Sequence, residues 1–418
     1  MSRIVLVEDS LASRFAPMSL LRPVFELRCG HFSVRERIQH LAPSSRIEVT
    51  MRKILAEVYA EEHANITIHP SSVPLDPDTL VINGRWLCDE SAWQALQQLP
   101  PGTVARQQDE WVAVRGSEGQ SCSRSTLESW LTSLPTMEFP GGMVLSYPWE
   151  LIEQNSQQII ADFQLRNRLS GVVPDHPQIA VLGNPDQISI HETADIDPFV
   201  VLDARHGPIW IDAHVKLQAF TRLEGPCFVG ERSQLFRANV REGCSIGPVC
   251  RVGGEIEESI IHGHANKYHD GFLGHAYVCP WVNLGANTIN SDLKNDYSTV
   301  KVMVDGQMLD SGSTKVGCFI GDHTKTALAS LFNTGSSVGI MSLVLPGGEL
   351  LPKVIPSFTR VWHGQLEEYP QGIDAAVAAA RVAMGRRKLM LSPAAEKLLR
   401  AAFEQTQSER DRSLARLQ

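Results

Sequence analysis

An α/β domain followed by a parallel β-helix and a helical tail is the fold class that this sequence of 418 residues predicts. Three observations carry that reading. Residues 1–180 mix short apolar strands with helix-like stretches, an aliphatic residue recurs every six positions from about 181, and residues 366–418 read as helices. The length fits two or three domains with ample capacity for a core. At 43% hydrophobic and 20% charged residues, with no apolar run near the ~18 residues of a membrane helix, no membrane span is expected. A formal charge of −9 argues against a nucleic-acid binder, because phosphate contacts need a basic surface. The eight cysteines are scattered and form no C-x-x-C, so reduced thiols are expected rather than disulfides or zinc. The start MSRIVLVEDS lacks the apolar core and cleavage site of a signal peptide, and the expected compartment is the cytoplasm.

Within residues 1–180, strands are expected at 4–7, 79–83 and 111–114, and helices at 90–99 and 149–163. The repeat of residues 181–365 can be counted. Ile190, Ile196 and Leu202 are followed, after an inserted RHGP, by Ile211, Leu217, Leu223, Val229 and Leu235. After a one-residue slip come Val240, Ile246 and Val252, then Phe272, Val278 and Leu284, and finally Ile320, Thr326, Phe332, Val338, Val344 and Leu350. One inward side chain per six residues, with Gly, Asn or Asp supplying the turns, stacks short strands into a prism with a continuous core. Helices separated by Gly385 and Pro393 are expected to cap its end, where apolar surface must be covered.

The chemistry-bearing segment is residues 265–297, where Asn266, Lys267, His269, Asp270 and His275 interrupt the repeat. The elements H-D-G-F-L-G-H-A and V-N-L-G-A-N-T resemble the acetyltransferase motif of the bifunctional family that makes UDP-N-acetylglucosamine, the N-acetylglucosamine-1-phosphate uridylyltransferase/glucosamine-1-phosphate N-acetyltransferases. The resemblance implies a left-handed β-helix, a homotrimer, acetyl-CoA as acyl donor and a hexosamine 1-phosphate as acceptor. It makes His269 the catalytic base, matches Phe272 to a tyrosine that contacts the sugar phosphate, and matches Asn283 to a sugar-binding asparagine. An imidazole suits removal of a proton from the attacking amine at cytosolic pH. Departures from the family are also visible: Phe272 lacks a hydroxyl, Glu257 or Glu258 stands where a phosphate-binding lysine is expected, and Phe358 replaces an arginine that contacts coenzyme A. Lys267, Lys294 and Lys325 are the candidate substitutes near the phosphate. His262, His264, His269 and His275 contain an H-x-H, but no carboxylate completes a convincing ligand set, so no metal site is expected.

In the first domain, residues 19–38 (SLLRPVFELRCGHFSVRERI) and 81–96 (VINGRWLCDESAWQAL) resemble the sugar nucleotidyltransferase-like domain of an atypical branch of the same family. That resemblance implies a sugar phosphate and a nucleoside triphosphate as substrates with Mg2+, and Arg22, Arg28, Arg35 and Arg37 are suitable phosphate partners. The alternative for these arginines is a solvated helix face with ion pairs to Glu26 and Glu36. The chain has no glycine before residue 30, so the usual Gly-rich phosphate loop is missing, and Gly84-Arg85 stands where the family has a metal-binding Gly-Asp. Asp89 is then the substitute ligand, or the domain binds a sugar nucleotide without making one. Asn155 and Asp162, on the helix expected to join the domains, are further candidate ligands. Two functions remain from the sequence: an enzyme of sugar-nucleotide synthesis with one or both transferase activities, and a non-catalytic trimeric scaffold or sugar-nucleotide binder.

Overall fold

The computed structural model describes residues 2–166, 169–173 and 175–415. The chain divides into two compact units, one of residues 1–15, 21–28 and 32–148 and the other of residues 16–20, 29–31 and 149–418.

The first unit is built on a seven-stranded sheet, in the order Thr136–Glu138, Val104–Gln107, Glu110–Arg115, Thr79–Asn83, Arg3–Val7, Arg46–Thr50, Thr67–Ile68. Arg3–Val7 is parallel to both of its neighbours, and its last four residues are buried, as a strand covered on both faces requires. Val5, Val7, Val81, Val104, Val114, Trp111 and Leu131 form one core cluster. The helix Val34–Leu41 starts at a capping box, in which Ser33 accepts from the Glu36 amide and Glu36 accepts from the Ser33 amide. Arg35 and Arg37 on this helix are buried rather than solvated, although Arg35 does pair with Glu26 and Glu36.

In the second unit, short parallel strands pair with the strands one coil further along the chain. Three inward rows run through the stack. One joins Ile190, Ile211, Val229, Ile246, Ile261, Val278, Ile320, Val338 and Ile355. A second joins Leu202, Leu223, Val240, Ile256 and Leu273. The third joins Leu217, Leu235, Val252 and Lys267. This is the architecture of a parallel β-helix, each row being one column of the core. A hairpin of Lys301–Val304 and Gln307–Asp310 is inserted where the six-residue step breaks after Leu284.

Two positions of the counted repeat are corrected. Phe272 is only partly covered and Leu273 is the inward residue, because the step of six from Ile261 passes through Lys267 to Leu273. Leu350 is exposed and Leu351 is buried. The tail forms Gly372–Gly385, Pro393–Gln405 and Gln407–Ala415. Phe403 of the second helix packs edge-on against Phe358 at 5.2 Å, and the Arg410 guanidinium lies over both rings. Phe358 is thereby a buried anchor for the tail.

A polar residue inside the prism must satisfy its hydrogen bonds there. Asn290, 1% exposed, does so by accepting from the Gly274 amide at 2.9 Å and donating to the Gly274 carbonyl at 2.8 Å. Asn290→Ala strands both backbone groups and is expected to cost roughly 2–3 kcal/mol. Urea unfolding measures it, and a loss below about 0.5 kcal/mol would show that the Gly274 backbone finds other partners.

Candidate functional sites

In the first unit, the carboxyl ends of the central parallel strands converge, which is where open α/β sheets place ligands. Arg3–Val7 is followed there by Glu8 and Asp9, both buried. Glu8 receives the Arg52 amide (2.9 Å), its Nε (3.0 Å) and Nη2 (2.9 Å), and the Val24 amide (3.2 Å). Asp9 receives Nε and Nη2 of Arg85, whose Nη2 also reaches Glu110 at 2.7 Å and whose Nη1 bonds to the Leu145 carbonyl. Arg124 closes the network on the Glu8 carbonyl at 2.7 Å. Arg22 is half-buried and its carbonyl accepts from Arg52 at 3.1 Å, while Arg28 lies close enough to Glu36 to help hold that carboxyl below its usual range.

This donor set does not fit a divalent cation. The residue at the Gly-Asp position, Arg85, is a buried cation already paired with two carboxylates. Asp89 is spent as a helix N-cap, accepting from the Ala92 amide and the Ser91 hydroxyl. No group of three His, Cys, Asp or Glu able to hold a metal occurs among the described residues. Asn155 and Asp162 are buried too, but they anchor backbone: Asn155 accepts from the Gly30 amide and Ser245 hydroxyl and donates to the Gly243 carbonyl, and Asp162 accepts from the His31 amide.

In the second unit, the segment 265–297 brings residues of the two motifs onto adjacent coils. Asn266 is bridged to Asn283 and Asn283 to Lys325, with Asn266 Nδ2 donating to Asn283 Oδ1 at 2.5 Å. Lys267 points inward and its ammonium donates to the carbonyls of Gly253 (2.8 Å) and His269 (2.9 Å); burial pushes its pKa down to about 8, against the pull of Asp270. Its charge is therefore turned into the coil, and it pins the backbone of His269. The His269 side chain is exposed beside Tyr268. Phe272 follows on the next strand, opposite Glu255. Lys294 lies on the loop after this segment, with its ammonium on the Ser298 hydroxyl and the Thr299 carbonyl. The structure thus gathers His269, Lys267 and Asn283 on neighbouring coils and leaves Lys294 bonded within its own loop.

Sequence reasoning gave His275 no special place. It is 7% exposed, with Nδ1 at 2.8 Å from Asp292 and Nε2 at 3.1 Å from Glu258. With Trp149, Ile152, Glu153, Ser313, Lys315 and Val316 it lines a cavity of about 100 Å3. Burial opposes its charge, but the two carboxylates prevail and push its pKa up to about 9, and both carboxyls are held below their usual values. Glu258, His275 and Asp292 occupy equivalent places on successive coils, a spacing of 17 residues that was a readable signal.

The family model described as "Sugar nucleotidyl transferase" matches residues 4–169. A bifunctional sugar-1-phosphate nucleotidylyltransferase/acetyltransferase of Sulfurisphaera tokodaii is 33% identical over 93 residues, covering 22% of this chain and 23% of the relative. Bifunctional protein GlmU of Rippkaea orientalis is 27% identical over 205 residues, 43% of this chain and 40% of that protein, and GlmU of Methanococcus maripaludis is 33% identical over 90 residues, 22% of each. The chain spans between about a quarter and two fifths of the length of these curated relatives. The chain is thus similar to bifunctional GlmU proteins over part of its length, and residues 4–169 match the sugar nucleotidyl transferase model.

The sign of the His275 contribution follows from its raised pKa. Its stabilisation is full below the unfolded value near ~6.5 and is lost as pH rises through about 9. Wild-type stability in urea is therefore expected to fall between pH 7 and 10, and His275→Gln is expected to lose about 2 kcal/mol at pH 7 with a flatter profile above it. Parallel profiles for the two proteins would remove His275 from the titrating set.

Proposed function

We propose that the chain is a transferase of sugar-nucleotide synthesis that N-acylates a hexosamine 1-phosphate in its second unit. The single observation that carries this reading is the placing of His269 and Asn283 on adjacent coils, with Lys267 holding the His269 backbone. His269 takes the proton from the acceptor amine, whose nitrogen attacks the thioester carbonyl of acetyl-CoA. A C–N bond forms, the C–S bond breaks, and coenzyme A leaves as the thiolate. Asn283 orients the sugar and Phe272 packs against it, while Lys294, bonded within its own loop, reaches the phosphate only if it leaves those bonds. The names of the relatives, which include both nucleotidyl and acetyl transfer, support this reaction class. Arg22 and Arg28 are the phosphate partners in the first unit on that second activity, for which a nucleoside triphosphate is the co-substrate.

The reading includes a three-part organisation of 1–180, 181–365 and 366–418, left-handed winding of the coils, a homotrimer and a cytoplasmic location. No helix of the described residues is long and apolar enough to cross a membrane. A non-catalytic trimeric scaffold is favoured by one observation, the inward-turned Lys267 ammonium, which is not offered to a phosphate.

His269→Ala is expected to slow acetylation of glucosamine 1-phosphate by roughly 10²–10⁴-fold, the usual share of a general base, with sedimentation unchanged from that of the wild-type trimer. A wild-type rate in the variant, or no transfer to any amino-sugar phosphate by the wild type, favours the scaffold.

A further inference from the structure

Asp9 follows the strand Arg3–Val7, Arg85 follows Thr79–Asn83, and Glu110 opens Glu110–Arg115, so three successive strands of the first unit's sheet deliver their ends to one place. Nη2 of Arg85 donates to Asp9 Oδ2 and to Glu110 Oε2, each at 2.7 Å, and its Nε donates to both Asp9 oxygens at 3.1 Å. Asn83 steadies the pair. Its Oδ1 accepts the Arg85 backbone N–H at 3.0 Å, and its Nδ2 adds a longer bond to Asp9 Oδ2 at 3.4 Å. The Arg85 side chain is wholly enclosed and that of Asp9 nearly so, while Glu110, 27% exposed, opens the group toward the surface.

A positive nitrogen held at equal distance by oxygens of two carboxylates stands where a bridging cation would stand. Magnesium is bound by one or two carboxylates, with water or phosphate completing its shell. Here the bridge belongs to the chain, because an arginine keeps its charge throughout the range in which proteins fold. Glu8 offers no second position, since both of its oxygens are taken by Arg52 and by the Val24 amide. With Arg124 bonded to the carbonyls of Glu8 and Asp9, three guanidinium groups balance the three carboxylates. A divalent ion that entered would displace Arg85 and leave its guanidinium buried without a partner, which is strongly destabilising.

We propose that the Arg85 guanidinium is the built-in cation of this site, so that the first unit takes the diphosphate of a sugar nucleotide with arginine charge and without a divalent ion. Open α/β sheets bind ligands at this end of their strands. The ligand class rests on the nucleotidyl-transfer reading, whereas the role of Arg85 rests on the geometry. The assignment has a converse: without the guanidinium, Asp9 and Glu110 face one gap with uncompensated negative charge, which a divalent ion can fill.

Two titrations of the full chain test this. Mn2+ binding is read by loss of the paramagnetic resonance signal of the free ion, and a panel of UDP-, dTDP-, ADP- and GDP-sugars is titrated calorimetrically in chelator and in Mg2+. The wild type is expected to bind a sugar nucleotide with the same affinity in both buffers, within about twofold, and to show no Mn2+ site that Glu110→Gln removes. Arg85→Ala is expected to gain a Mn2+ site at least about tenfold tighter than any in the wild type, to melt higher when Mn2+ is added, and to lose the gain when Asp9→Asn is combined with it. A wild-type Mn2+ site lost in Glu110→Gln, or sugar-nucleotide binding about tenfold or more tighter in Mg2+ than in chelator, overturns the built-in cation and leaves the nucleotide reading standing. A folded Arg85→Ala protein without the new Mn2+ site overturns it as well, and if that variant does not fold, the wild-type titrations decide. Binding of no sugar nucleotide in either buffer, with the Mn2+ results as expected, overturns the ligand assignment and the nucleotide reading together while Arg85 stays the cation of the site.

Discussion

Each coil of the second unit has room for only a few inward side chains, and every polar one must find its partners inside the stack. That constraint decides where chemistry is possible. Aliphatic residues fill the three inward rows except at Lys267, which is tied to the carbonyls of Gly253 and His269, and the buried Asn290 is likewise tied to both backbone groups of Gly274. Burying an ammonium is costly unless it is well bonded, and here the bonds run to the segment that carries the exposed histidine. The interior of the coil thus sets the path of the corner at His269.

Both units hold their buried charges in partnered networks. In the first, Glu8, Asp9, Arg52 and Arg85 are buried together and neutralise one another at the ends of the parallel strands. Removing one member of such a pair leaves its partner charged and buried, commonly at a cost of about 3–5 kcal/mol, so the network is a fixed part of the sheet rather than a vacancy for a metal. In the second, His275 is buried between the carboxylates of Glu258 and Asp292.

Much of the coil architecture was legible because its period is short and its inward residues are aliphatic. The step failed at Phe272 for a physical reason: counting only apolar residues discards Lys267, and the true row runs Ile261, Lys267, Leu273. The inward lysine was itself the signal that this coil is specialised. The pairs of Arg35 with Glu26 and Glu36 were legible as local contacts, whereas those of Arg52 and Arg85 were not, since they meet their partners across 44 and 76 residues of sequence. His275 was readable only with the coil length in hand, since its partners sit one coil before and one coil after it. The candidate site followed the motif resemblance for His269 and Asn283, whereas the direction of the Lys267 ammonium depended on which strand face it occupies.

Replacing Lys267 by leucine tests most directly whether the coil interior positions the His269 corner proposed to be catalytic. The substitution removes a buried ammonium and leaves an apolar side chain in an apolar row, so thermal stability should stay near that of the wild type. Acetylation of glucosamine 1-phosphate is predicted to fall in kcat by about a hundredfold, as a displacement of roughly 1 Å in a positioned base can cause. A folded Lys267→Leu protein with the wild-type kcat would contradict the account.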